Sequence, residues 1–263
     1  MEKLQFYSEL IPWIVLGLLL GMLVCVELGY VYGIRKRRRA SGLEDGSSTG
    51  TIETSILALL GLLLAFTFSA AQSRMDQRRQ LIIQEANAIG TAYLRLDILP
   101  EAAQPELRLA FKEYLDTRIA VYRAVPDMPK VSRELKKAQG LQQRIWSEAV
   151  RAVKGGEPGA AVVVLPALNE MIDITTTRTT MALIHTPLAI FALLWTLALL
   201  GAAVAGYGMS KSPNRSWFHR LAFVAIISAT IFVIMDLEFP RRGLIRLDSM
   251  DQLLVELRES MGP

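Results

Sequence analysis

The segment that most constrains this chain runs from Ser55 to Ala71 and reads SILALLGLLLAFTFSAA. A bilayer's hydrocarbon core takes about 20 helical residues, so this run crosses most of it. No turn signal closes the run. The pattern continues through QSRMDQRRQLIIQEANAIGTAYLRL, so one helix is expected to leave the membrane and go on as an amphipathic rod. Arg74, Arg78 and Glu85 fall near one stripe of that rod. Eleven residues separate Arg74 from Glu85, a step that returns to within ~20° at ~100° per residue. A helix that joins a span to a charged shaft suits a vestibule lining or a signal relay.

Three further apolar runs share the chain: Ile11–Ile34, about Pro187–Tyr207 and about Trp217–Met235. The first is too long for a signal-peptide core and is followed by a basic run instead of a small-residue cleavage site, so it reads as a retained span. Between the second and third runs lie about 110 residues with helical periodicity and no strand alternation. Prolines at 100, 105, 126 and 129 and the Gly155-Gly156-Glu157-Pro158 cluster cut this part into helices. Leu107, Phe111, Leu115 and Ile119 recur every four residues over Pro105–Val125, and Leu135, Ile145, Trp146 and Val150 mark Val131–Val153. Ala160–Ile184 reads as a helix leading into the third span. Leu247, Met250, Leu254 and Leu257 make a short amphipathic tail. The expected fold class is therefore all-α: four transmembrane helices with a helical extramembrane bundle inserted between the second and third. The expected divisions are 1–74, 75–186, 187–236 and 237–263.

The hydrophobic fraction of 52% agrees with an integral membrane protein, and the net charge of +4 is unevenly spread. Arg35–Arg39 directly follows the first span and reads as a juxtamembrane anchor, not a nucleic-acid patch. Lys211, Arg215 and Arg220 make the other short connection basic too. The charge rule puts both connections in the cytoplasm, with the termini and the helical region outside a bacterial inner membrane.

Several residues are candidates for a role. Glu27 lies inside the first span, where an unpaired carboxylate costs ~3 kcal/mol or more. It is either functional or paired with Arg35 or a base on another helix. Gly17, Gly21, Cys25, Gly29 and Gly33 recur every four residues and offer a close-packing stripe, with Gly61, Ala65 and Ser69 on the second helix as a candidate match. Leu62, Phe66 and Ser73 share a face of the second helix. In a pore they form an apolar constriction; in a closed bundle they are packing. Asn87, Thr91 and Arg95 share a face and suit a polar seam across a helix contact. Asp236 and Glu238 end the fourth span beside Arg242 and read as membrane-edge ion pairs, with Arg74 or Arg78 as partners. Catalysis is not expected: there is no glycine-rich phosphate loop, no G-x-S-x-G and no His-rich metal pattern. Cys25 is the single cysteine, so no disulfide forms within the chain. No cofactor, no metal and no nucleic acid is implied.

The second helix resembles that of bacterial bestrophins. Phe66, Arg74 and Arg79 fit their F-x7-R-x4-R spacing, and Ala71 matches a small residue there. The stretches LLLAFTFSAAQSRMDQRR, EANAIGTAYLRLDILP and DLEFPRRGLIRLD are similar to a large bacterial family of bestrophin-like membrane proteins. The resemblance implies a homo-oligomeric ion channel, a pentamer in bestrophins, with inorganic ions as cargo, anions before cations. It also implies Phe66 as the neck beside Leu62, and Arg74, Arg78, Arg79 and Glu85 in a charged vestibule. Thr67 and Ser69 stand where bestrophins carry Arg and Asn, Met75 replaces an aromatic, and the acidic calcium cluster of the animal proteins has no counterpart. Bestrophins keep their termini in the cytoplasm, opposite to the charge rule here. A reading of a different class is a non-conducting scaffold or envelope sensor whose bundle binds a partner.

Overall fold

The computed structural model describes residues 2–39, 47–125, 127–211, 217–239, 241 and 243–262, with side chains for all of these except 2–9, 47–49 and 248. Arg215 and Arg242 lie outside the described residues. Every regular element among the described residues is helical. The order is α1 (Glu2–Arg39), α2 (Ser47–Leu94), two short 3-10 turns (Arg95–Ile98 and Glu101–Ala103), α3 (Gln104–Arg123), α4 (Met128–Lys154), α5 (Ala160–Met181), α6 (Leu188–Met209), α7 (Trp217–Glu238) and α8 (Asp248–Ser260).

The boundaries follow local chemistry. Pro105 and Pro129 sit in the first turns of α3 and α4, where a missing N–H costs nothing. The Asp127 carboxylate accepts from the Lys130 amide at 3.0 Å and caps α4, and Gly155 ends it. Pro187 separates α5 from α6, because it cannot continue a helix and restricts the residue before it.

Five helices among the described residues are long and apolar enough to cross a membrane, where the sequence suggested four. The added one is α5, the least apolar of the five. At ~1.5 Å per residue the 48 residues of α2 extend ~72 Å, more than twice a ~30 Å hydrocarbon core.

The chain divides into two compact units. In one, which holds Met75–Ile184 and α8, helices α3, α4 and α5 bury Phe111, Tyr114, Leu115, Ile145, Leu168 and Met171 in one core that Leu254 of α8 completes. In the other, which spans Lys3–Arg74 and His185–Phe239, α1 and α6 come into backbone contact. A methyl group added at Gly29 would sit on the Ala203 carbonyl, and one added at Gly206 on the Val26 carbonyl. Gly33 lies against Ser210 and Gly21 against Leu199, while Gly17 and Gly61 have open space. The glycine stripe of α1 thus meets the small-residue run GAAVAGYG of α6; the suggested match on α2 does not take that place.

Candidate functional site

Two faces of α2 differ from Leu60 to Leu94. Leu62, Phe66, Ser69, Ser73, Asp76, Gln80, Gln84, Asn87, Thr91 and Leu94 are all exposed. At 100° per residue they stay within about 40° of one line. Leu60, Leu64, Thr67, Ala71, Met75, Arg78, Ile82, Glu85, Ile89 and Ala92 occupy the opposite side and are all buried. The open face begins apolar, with Leu62 at 53% and Phe66 at 65% exposure, is polar from Ser69 to Thr91 and ends on the exposed Leu94.

This division sorts the residues singled out in the sequence. Leu62, Phe66 and Ser73 share the open face. Asn87 and Thr91 are also on it, so they do not form a seam inside the bundle; Arg95 is half-buried and donates to the Val163 carbonyl at 2.7 Å. Arg74, Arg78 and Glu85 do lie along one side, but it is the packed side. Arg78 is buried and donates to the Ile184 carbonyl at 2.8 Å. Arg74 donates from Nε to Glu238 at 3.0 Å and also bonds Thr186, whose hydroxyl donates to Glu238 at 2.6 Å. His185 stacks on Phe239 at 5.1 Å with its Nδ1 3.7 Å from the same carboxylate. Asp236 is buried. Arg74, Arg78 and Glu85, the residues expected to line a vestibule, each have partners within the chain. Arg79 is the charge nearer the open side, and it bonds Asp76 at 3.2 Å.

Glu85 anchors a buried network in the unit built on α3–α5. Arg118, itself fully buried, donates from Nε to Glu85 at 2.6 Å. Arg178 pairs with the second Glu85 oxygen, to which the Tyr122 hydroxyl also donates at 2.9 Å. The Arg178 guanidinium lies 3.6 Å over the Tyr122 ring and reaches Asp251 of α8 at 2.8 Å. Arg241 holds the same aspartate at 2.7 Å. Nearby, the Tyr114 and Thr175 hydroxyls are hydrogen-bonded at 2.8 Å, and Tyr114 accepts from Gln142 at 3.1 Å. Burial raises the Tyr114 hydroxyl above its ordinary pKa. The sequence showed Glu85 but none of these partners, which come from α3, α4, α5, α8 and the segment that precedes α8.

In the other unit, Glu27 pairs with Arg220 in the first turns of α7. The Arg220 guanidinium is 3.8 Å from the Tyr30 ring centre and 5.5 Å from that of Trp217. Among the described residues no group of three His, Cys, Asp or Glu side chains could hold a metal ion.

The sequence matches the bestrophin-like domain over residues 21–250. The chain belongs to the bestrophin-like family. Two solved structures are similar to it, both single-residue variants of a bacterial bestrophin homologue from Klebsiella pneumoniae. One is 15% identical, with a TM-score of 0.65, covering 93% of this chain and 98% of the other. The second is 14% identical, with a TM-score of 0.60, covering 92% and 97%. At these identities the likeness is one of fold. No curated protein matches.

Within this bestrophin-like chain the family spacing divides between the two faces of α2. Phe66 is open, whereas Arg74 is turned to Glu238. Of the departures, Thr67 is buried and donates to the Leu63 carbonyl at 2.7 Å, Met75 is fully buried, and Ser69 is open. The residues that differ from bestrophins at 67 and 75 thus serve packing.

Proposed function

We propose that this bestrophin-like protein is a homo-oligomeric ion channel in the bacterial inner membrane, with α2 lining the conduction path. The observation that carries the reading is the unbroken open face of α2, apolar at Leu62 and Phe66 and polar from Ser69 to Thr91, in a helix that outreaches the bilayer. Copies arranged around an axis, five by kinship with bestrophins, would present that face to water. Leu62 and Phe66 then form a neck that gates by dewetting, and Ser73 follows it.

Four helices span the membrane in this reading: α1, the first part of α2, α6 and α7. The fifth apolar helix, α5, belongs to the inserted bundle, since it carries Glu170 and Asp173 and commits Arg178 to Glu85. Lys36 bonds Tyr207 at 3.3 Å and Arg37 bonds Ser210 at 2.7 Å, so the basic ends of α1 and α6 share one membrane face, assigned here to the cytoplasm.

With Arg74 and Arg78 turned inward and Arg79 bonded to Asp76, the open face carries little excess charge of either sign. The anion preference of a positive vestibule is accordingly small, and halide and potassium permeabilities should fall within roughly tenfold of each other. The test is ion flux and reversal potential in liposomes for the wild type and Phe66→Ala. Flux that rises in Phe66→Ala is expected. Silence of both proteins at verified incorporation refutes the channel, and identical flux in both refutes the neck.

A further inference from the structure

Arg220 is 1% exposed, yet only part of its guanidinium is used. Nη1 is taken by Glu27, while Nε and Nη2 are buried without a hydrogen-bond partner. These two atoms lie along one edge of the guanidinium plane. Their N–H bonds run parallel, and that edge is the fork that matches two oxygens of a phosphate or carboxylate. The ring of Tyr30 holds the plane, and Glu27 occupies the other side, so the fork is fixed in direction and left open chemically. Buried donors on a cation without acceptors are costly, and native structures supply a partner.

The place selects the partner. Arg220 is in the first turns of α7, beside the exposed rings of Trp217 and Phe218, the aromatic signature of a membrane–water interface. Lys36, Arg37 and Lys211 lie at the ends of α1 and α6 in the same unit. Lipid phosphates stand at that depth. We infer that the Nε/Nη2 edge of Arg220 binds a phosphate oxygen pair at the membrane face, supplied by a phospholipid headgroup or by free phosphate. Trp217, itself half exposed, is the side chain that moves to admit it. Such a site acts on the folded chain whether or not the chain conducts.

The experiment is thermal melting of the full chain in dodecyl maltoside, titrated with dihexanoyl phosphatidylglycerol, dihexanoyl phosphatidylcholine or inorganic phosphate. A saturable rise in Tm with the two lipids and not with phosphate assigns the headgroup. A rise with phosphate at similar concentrations assigns the free anion. No saturable rise with any of the three overturns the proposal. Arg220→Lys keeps the charge and loses the fork, so its half-saturation should rise at least tenfold; an unchanged value overturns the assignment to Arg220. Should Arg220→Lys fail to fold, Glu27→Gln decides. It still accepts from Nη1 but no longer offsets the charge, so half-saturation should fall at least threefold, and an unchanged value again overturns the site.

Discussion

Replacing Glu85 with Gln should unsettle the helical bundle far more than its single-atom change suggests. Glu85 is fully buried and accepts from Arg118 Nε at 2.6 Å, from Tyr122 at 2.9 Å and from Arg178. Gln offers one acceptor oxygen and turns an NH2 group toward buried donors. It also leaves the buried Arg118 and Arg178 without their shared counter-charge. Breaking a buried pair from one side costs about 3–5 kcal/mol. At ~2–4 °C per kcal/mol for a domain of this size, the bundle's transition should drop by roughly 6–20 °C. Trp146 lies on α4 within that unit, so its fluorescence reports the transition. The control is Glu106→Gln, which breaks a solvent-exposed contact with Arg144 at 3.0 Å and should stay within about 2 °C of the wild type. Equal melting of the two variants would refute the claim that the Glu85 network holds the bundle together. Since Glu85 and Arg178 act on one network, Glu85→Gln combined with Arg178→Met should cost less than the sum of the two.

Other expectations follow from the same geometry. The Tyr114 hydroxyl is held protonated by burial, so its contribution to stability is complete below its unfolded value of about 10 and is lost as pH rises beyond it. Between pH 9 and 11 the melting temperature of Tyr114→Phe should therefore fall less than that of the wild type; equal slopes would exclude this residue. Gly29→Ala forces α1 from α6 at a backbone contact and should reduce the monodisperse fraction in size-exclusion chromatography, whereas Gly17→Ala, which meets open space, should match the wild type.

Periodicity made the helices and their phase legible. The stripe through Arg74, Arg78 and Glu85 was readable because residues on one helix keep fixed angles. Its direction was not. Polar residues recur on both sides of α2, and composition does not say which side finds partners. Only the fold turned Arg78 and Glu85 inward and left Ser73, Asn87 and Thr91 open. The partners were equally hidden, because they are remote in sequence: Arg220 lies 193 residues from Glu27, and Arg178 lies 93 from Glu85. The run of small residues on α6 was visible as composition, but two stripes could have met the glycines of α1, and backbone approach chose between them. Helical class, bestrophin-like kinship and apolar spans are local properties, written in spacing and hydropathy. Which charges are neutralised inside, and which face of α2 is free to meet water or another subunit, depend on contacts between distant segments, and the tertiary structure alone decided them.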